Sequence, residues 1–198
     1  MPTIDGTREA GGVAGFAYDA VVLAGGQARR FGSDKLVADL AGRPVLDHAL
    51  AAVGSADRVI VVGPRRATLL PVRWTREEPP GGGPVAGMAA GLALVRAPHV
   101  LVLAGDMTAS GPAVASLLQH AAGGGGSRVF VAVAPDGRLQ PLLALWPTQL
   151  LETSVQRVMG QQRHAATALY DGVDVVQVTV PHQALHDVDM PEDLSADQ

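Results

Sequence analysis

Residues 20–35 read AVVLAGGQARRFGSDK and carry the clearest structural signal in the chain. The stretch begins as a short apolar strand and passes directly into a glycine pair, Gly25 and Gly26. Glycines at this point let a ligand approach the backbone, whose free N–H groups can then face phosphate oxygens. Arg29 and Lys35 add positive charge beside them. Strand, glycines and cations in this order predict a binding site for a nucleoside triphosphate.

Two standard phosphate-binding loops do not describe this stretch. The P-loop requires G-x-x-x-x-G-K-[ST], a string that the chain lacks. The dinucleotide fingerprint requires G-x-G-x-x-G at the opening of a helix, and the spacing of Gly25, Gly26 and Gly32 does not match it. The competing interpretation of the loop is a glycine turn that carries two solvated basic residues.

Composition limits the class of protein. The chain has 198 residues, 47% of them hydrophobic and 17% charged, which is typical of an ordered globule with one core. A net charge of −4 argues against a general nucleic-acid surface. No apolar run is long enough to span a membrane, and residues 1–17 lack the apolar core of a signal peptide. The chain has no cysteine, and we therefore expect a cytoplasmic protein. We also expect residues 1–17 to form a flexible leader and residues 18–198 to form one domain.

Short β-branched runs alternate with helical patterns along the chain. This alternation predicts an α/β fold with a mostly parallel, doubly wound sheet. Strands are predicted at 20–23, 58–62, 73–75, 100–103, 129–133, 142–145 and 173–178, and helices at 44–53, 84–95, 112–121, 148–158, 162–169 and 191–194. Ligands of such sheets bind beyond the carboxyl ends of the strands, where Gly25 and Asp106 are expected to lie.

A second glycine-rich loop precedes the helix predicted at 84–95. Residues 77–87 read EEPPGGGPVAG, so exposed N–H groups at a helix start are expected to lie against a base or ribose. Gly82, Gly83 and Gly87 are the candidate contacts, with Glu78 as the nearby carboxylate. The competing interpretation is a surface connection with a helix cap.

Two acidic elements are candidates for a metal site. Asp106 follows a strand of nearly continuous apolar residues, a position that suits a ligand of Mg²⁺. Asp187 and Asp189 alternate near the carboxyl terminus and face one side if the segment is extended. Asp189 either completes the metal site or caps the helix predicted to begin near Pro191.

Three motifs together resemble one enzyme family. The first loop resembles the L-A-G-G-x-x-x-R-x-G-x-x-K signature of sugar-nucleotide-type nucleotidyltransferases, and among these it is most similar to the molybdenum cofactor guanylyltransferases. Residues 83–87 resemble the family's G-P-L-A-G segment, and 187–194 resemble its D-I-D-T-P-E-D-L segment. The resemblance extends from about residue 18 to residue 194. It implies a three-layer α/β/α, Rossmann-like nucleotidyltransferase fold.

The resemblance also implies a reaction and roles for residues. GMP would pass from GTP to the phosphate of molybdopterin carrying molybdenum, with release of pyrophosphate and with Mg²⁺ as cofactor. It also allows for a molybdenum-insertion protein as a partner. The implied catalytic residues are Arg29, Lys35 and Asp106, and the implied metal ligands are Asp106 and Asp189. The implied acceptor contacts are Arg138, Gln140 and Asp187. The implied nucleotide-binding residues are Leu23, Ala24, Gly25, Gly26, Lys35, Glu78, Gly82, Gly83 and Gly87.

Alternatives to this function remain open at the level of sequence. One is a related transferase that uses CTP or another phosphorylated acceptor, and the other is a non-catalytic nucleotide-binding module. The serines lack a nucleophile elbow and the histidines lack metal-ligand spacing, which agrees with a reaction whose nucleophile belongs to the substrate. Arg65 and Arg66 are interpreted as a solvated basic turn that is able to receive an anionic acceptor.

Overall fold

A computed structural model describes residues 16–25, 34–123, 127–162 and 164–195. Its strands are β1 (Tyr18–Leu23), β2 (Asp39–Leu40), β3 (Arg43–Pro44), β4 (Val59–Val62), β5 (Arg73–Thr75), β6 (His99–Ala104), β7 (Val129–Val133), β8 (Leu139–Pro147) and β9 (Val175–Thr179). Its α-helices are α1 (Val45–Ala52), α2 (Gly83–Leu92), α3 (Gly111–Ala122) and α4 (Thr148–Gly160). No helix in these described ranges is long and apolar enough to cross a membrane.

The main sheet has seven strands in the order β5-β4-β1-β6-β8-β7-β9. The central strand, β1, pairs in parallel with β4 on one side and with β6 on the other, so that Val21 lies opposite both Ile60 and Val102. A tight turn joins β7 to β8, so these two strands run antiparallel, and β8 is also antiparallel to β6 on its other side. In that turn Gly137 takes a φ of +86°, a conformation that glycine adopts without strain. The expected mostly parallel sheet is confirmed.

Helices cover both faces of this sheet. Successive β1 residues point to opposite faces, as in any strand. Val22 belongs to the core beneath α1 and α3, with Leu46 and Leu117 from those helices. Val21 belongs to the core beneath α2 and α4, with Met88 as its partner from α2. The α/β/α layering implied by the resemblance is therefore confirmed.

Two segments differ from the sequence prediction. The helix expected over 162–169 is wrong, since a turn and a 3-10 helix, Ala166–Tyr170, follow α4. Gln162 takes a φ of +56°, which ends the helical path. The hairpin of β2 and β3 was not predicted, because its turn, with positive φ at Ala41 and Gly42, lacks the usual Asn-Gly or Asp-Gly sequence.

The division into a leader and a single domain stays a prediction, because residues 1–15 lie outside the described part of the chain. Phe16, which falls within the predicted leader, packs against the core beneath α1 and α3. Its ring centroid lies 4.4 Å from that of His99. Contacts with the fold thus begin before the predicted boundary.

The contact between α2 and β1 depends on a glycine. A Cβ on Gly91 would lie 2.6 Å from Cγ1 of Val21, a side chain that is fully buried and cannot move aside. We expect Gly91→Ala to lower the free energy of unfolding by about 1–3 kcal/mol through overpacking. Gly160→Ala is the matched control, since a Cβ at that exposed helix end meets nothing within 4 Å. Denaturant unfolding of both variants is the measurement, and equal stabilities would contradict the packing argument.

Candidate functional site

A cleft of about 270 Å³ opens where the parallel strands β1, β4 and β6 end. This is the edge at which α/β sheets bind their ligands. The strand ends contribute apolar walls from Leu23, Val62 and Ala104. The remaining lining comes from loops and from α2 and β8: Gly25, Glu77, Gly83, Pro84, Gly87, Asp106 and Leu142. An apolar cleft with carboxylates beside it suits the base and sugar of a nucleotide.

Lys35 contacts acidic side chains from distant parts of the chain. It begins the 3-10 helix Lys35–Val37, and its Nζ lies 2.7 Å from Oδ2 of Asp106. The same ammonium donates to the carbonyl oxygen of Val188 at 2.8 Å and to Oδ1 of Asp189 at 3.3 Å. Asp106 also lines the cleft, so the charged cluster adjoins the apolar walls. The structure therefore brings together Lys35, Asp106 and Asp189, three of the site residues predicted from sequence, whose roles stay predictions.

Backbone pairing brings the carboxyl-terminal segment to this cluster. Asp187 forms an antiparallel bridge with Met107, directly after Asp106. The N–H of Thr108 donates to the carbonyl oxygen of His186 at 3.0 Å, and the N–H of Val188 donates to that of Asp106 at 3.2 Å. The segment is therefore held in an extended form beside the loop that follows β6.

The electrostatics of the cluster favour an added cation. Partial burial lowers the pKa of Lys35, but hydrogen bonds and attraction to Asp106 and Asp189 outweigh it and leave that pKa raised. The pKa of Asp187 is also raised, first by desolvation and then by repulsion from Asp189 and Asp106. Three carboxylates against one ammonium leave an excess of negative charge.

The donor atoms around Lys35 are of the kind that Mg²⁺ takes. Oxygens of Asp106, Val188 and Asp189 surround its ammonium. Over the described ranges, no group of three or more His, Asp or Glu side chains is arranged to hold a metal alone. Mg²⁺ commonly takes only one or two carboxylates and completes its shell with water and substrate phosphates, so this donor set fits it.

The competing role of Asp189 as a helix cap finds no support in the described hydrogen bonds, and Asp106 does not cap a helix either. The residue at the N-cap position of α3 is Ser110, so Asp106 stands before that helix. Near the carboxyl terminus it is the carboxylate of Asp193 that accepts from the N–H groups of Asp189 and Met190, each at 2.8 Å. Those bonds lower the pKa of Asp193. The carboxylate of Asp189 faces Lys35 instead.

The second loop divides between two hollows. Gly83 and Gly87, two of the predicted nucleotide contacts, line the cleft. Gly82 and Glu78 line a neighbouring hollow beside α4 instead. The carboxylate that this loop contributes to the cleft is that of Glu77, whose Oε1 accepts from the N–H of Gly81 at 3.0 Å. Sequence reasoning missed Glu77 because two adjacent glutamates in a loop give no signal of which one turns inward.

The first loop is described at both of its ends. Leu23 and Gly25 line the cleft, and buried Ala24 donates its N–H to the carbonyl oxygen of Val62 at 2.8 Å. Gly26 and Arg29 lie outside the described residues, so their predicted roles stay predictions.

The predicted acceptor contacts occupy two places. Arg138 is exposed in the turn before β8, and Gln140 lies half-buried near the start of that strand, two residues before cleft-lining Leu142. Asp187 lies with the acidic cluster. The interpretation of residues 65 and 66 as a solvated turn is correct for exposed Arg65 and wrong for Arg66. The side chain of Arg66 is 8% exposed and donates to Asp34 and to the carbonyl oxygen of Ala24.

The two glutamates of the second loop can be tested against each other. Removing the carboxylate that lines the cleft, in Glu77→Ala, also releases the N–H of Gly81. We expect the KM for the nucleotide to rise about tenfold, the cost of one hydrogen bond to a charged group. Glu78→Ala is the control and should change KM little. Steady-state kinetics decide, and a larger effect at Glu78 would restore the sequence-based prediction.

Comparisons with known proteins agree with this geometry. A family model described as "MobA-like NTP transferase domain" matches residues 20–183. A probable molybdenum cofactor guanylyltransferase of Chloroflexus aggregans is 31% identical over 188 residues, covering 88% of this chain and 90% of the relative. A second, of Deinococcus radiodurans, is 36% identical over 136 residues, covering 67% of this chain and 68% of the relative.

Solved structures share the fold at low identity. Molybdopterin-guanine dinucleotide biosynthesis protein A from Archaeoglobus fulgidus matches with a TM-score of 0.69 and 20% identity, over 89% of this chain and 95% of that one. A 2-C-methyl-D-erythritol 4-phosphate cytidylyltransferase from Thermus thermophilus matches with a TM-score of 0.67 and 22% identity, over 88% and 94%. With the family model covering most of the chain, the protein is a nucleotidyltransferase that belongs to the MobA-like NTP transferase family.

Proposed function

We propose that this chain transfers GMP from GTP to the terminal phosphate of molybdopterin carrying molybdenum, releasing pyrophosphate. The observation that carries the proposal is the convergence of Lys35, Asp106 and Asp189 beside an apolar cleft at the strand ends. The names of the curated relatives, molybdenum cofactor guanylyltransferases, supply the donor and the acceptor.

In this proposal the protein acts by position and charge. The apolar walls, Leu23, Val62 and Leu142 among them, hold the nucleoside, and the backbone at Gly25 faces the phosphates. The ammonium of Lys35 turns from the carboxylates to phosphate oxygens, where it stabilises the charge that develops during transfer. A phosphate oxygen of the acceptor attacks the α-phosphorus in line and the bond to pyrophosphate breaks. The nucleophile thus comes from the substrate, and the chain needs none of its own.

Asp106 and Asp189 are the residues that would hold Mg²⁺. When bound, the ion supplies neutralisation of the triphosphate charge. Gly26 and Arg29 are proposed phosphate ligands within the first loop. Asp187, exposed Arg138 and half-buried Gln140 are proposed contacts for the acceptor. The donor nucleotide is a cytoplasmic metabolite, so the proposed location is the cytoplasm, and a molybdenum-insertion protein is a proposed partner.

The test is a pyrophosphate-release assay with Mg²⁺, molybdate-loaded molybdopterin, and either GTP or CTP. Release with GTP and not with CTP supports the proposal. Release with CTP keeps the mechanism and changes the donor. If neither releases pyrophosphate while GTP binds in calorimetry, the acceptor is wrong. If GTP does not bind either, the chain is a module without this activity.

A further inference from the structure

Arg66 is a buried cation outside the cluster described above. Its Nε donates to Oδ2 of Asp34 at 2.7 Å and its Nη2 to Oδ1 of Asp34 at 3.0 Å. Its Nη1 donates to the carbonyl oxygens of Ala24 and Pro64, each at 3.0 Å. A planar guanidinium that holds a carboxylate with two parallel bonds fixes both distance and orientation, which a lysine cannot do.

Two of the partners of Arg66 are the residues just before two site residues. Ala24 immediately precedes Gly25, and Asp34 immediately precedes Lys35. Asp34 also accepts from the N–H of Leu36 at 3.2 Å and so caps the short helix that begins at Lys35. Arg66 therefore ties the start of the first loop to its end.

The backbone beside Arg66 is packed against the same place. Gly63 has a φ of +149°, and a Cβ there would lie 2.5 Å from the carbonyl oxygen of Ala24. Its N–H donates to the carbonyl oxygen of Thr75 at 2.9 Å, which anchors it to the end of β5. The segment that carries Arg66 is thus held close to β1, and the arginine does not reach across a gap.

Arg66 is poorly placed to act on a ligand directly. Its side chain is 8% exposed, whereas that of Asp34 is 43% exposed. Nε, Nη1 and Nη2 all donate to atoms of the protein. Among the described residues, Asp34 and Ala24 are the partners of Arg66 that adjoin the site, so we expect its influence on the reaction to pass through them.

We propose that Arg66 is a positioning residue that joins the two ends of the first loop, so that Gly25 and Lys35 are held ready for the phosphates of the donor nucleotide. This inference rests on the proposed function for its ligand. It concerns residues of the chain itself and can also be tested without the ligand.

The first experiment is a double-mutant cycle on nucleotide binding. Asp34→Asn, Arg66→Gln and the double variant are compared with wild type by calorimetry with GTP and Mg²⁺, and Arg65→Gln, at the exposed neighbouring arginine, is the control. We expect each single change to weaken binding about tenfold or more, and the double change to be no worse than either single one. The KM for molybdopterin should stay unchanged, because the expected effect is confined to the first loop. A rise in this KM would instead indicate a general loss of structure.

The second experiment needs no nucleotide. Lys35 is the only lysine in the chain, so acylation with an amine reagent reports on it directly once peptides are separated by mass spectrometry. We expect Lys35 to react faster in Arg66→Gln and in Asp34→Asn than in wild type or Arg65→Gln, because the turn that carries it is released. If Arg66→Gln does not fold, Asp34→Asn, changed at a largely exposed side chain, carries both measurements.

The outcomes separate the inference from the proposed function. If wild type and Arg65→Gln fail to bind GTP, the proposed donor is wrong, and the labelling experiment still decides the role of Arg66. If GTP binds but Arg66→Gln and Asp34→Asn match wild type in affinity and labelling, the inference is overturned. If the effects of the two single changes on affinity multiply in the double variant, Arg66 does not act through Asp34, which also overturns it.

Discussion

Replacing Lys35 with alanine is expected to lower kcat for nucleotidyl transfer by about 10²–10³-fold, the usual cost of removing one preorganised donor from a transition state. In the structure the ammonium of Lys35 lies 2.7 Å from Oδ2 of Asp106 and provides positive charge at the site. Removing it leaves the developing phosphate charge without that partner. It also leaves Asp106 and Asp189 without the cation between them.

Single-turnover and steady-state kinetics with saturating GTP measure this effect. Lys35→Arg keeps the charge and is expected to retain part of the rate, because a guanidinium differs in shape from an ammonium. Thermal unfolding of both variants checks that the fold is intact. Full activity in Lys35→Ala would refute the assignment of the site.

Replacing Asp106 with asparagine is the second change expected to have a large effect. The substitution keeps the size of the side chain and removes the charge that pairs with Lys35. If Asp106 holds Mg²⁺, kcat should fall about 10²-fold or more, because metal stabilisation of the transferred phosphoryl group is worth several kcal/mol. The concentration of Mg²⁺ that gives half-maximal activity should rise as well, which distinguishes a metal ligand from a residue that only orients Lys35.

Asp174→Asn is the matched control for Asp106→Asn. Asp174 is exposed just before β9, at the edge of the sheet opposite to the cleft, and its loss should leave both kcat and the Mg²⁺ requirement unchanged. A Mg²⁺ titration of the initial rate compares the variants. An unaltered Mg²⁺ requirement in Asp106→Asn would remove Asp106 from the proposed metal site.

Local patterns in the sequence were sufficient for most of the fold. The apolar run before Asp106 indicated a strand buried on both faces, and β6 is such a strand. Proline and glycine marked the turn between β7 and β8 correctly. The prediction of a helix over 162–169 was wrong because Gln162 adopts a left-handed conformation, which its polar side chain does not indicate in the sequence. The hairpin of β2 and β3 was missed for a similar reason.

The site was predictable only in part. Lys35, Asp106 and Asp189 could be selected because each stands beside a recognisable motif, and the structure places them together. The choice between Glu77 and Glu78 could not be made, because it depends on which way a loop turns against α2. Arg66 was predicted to be a surface residue because its partner Asp34 is 32 positions away in the chain, so the sequence gives no sign of their contact.

Sequence patterns were enough to predict most of the alternating strands and helices, the glycine and lysine of the first loop, and the acidic residues at the ends of two segments. These features depend on neighbours within a few positions, where spacing and residue type are enough to predict geometry. Tertiary contacts were needed to show that Val188 and Asp189 meet Lys35, that Glu77 enters the cleft, and that the side chain of Arg66 is buried. Those contacts join residues far apart in the chain, and they form only because the parallel sheet brings the carboxyl ends of its strands, and the loops that follow them, to one edge.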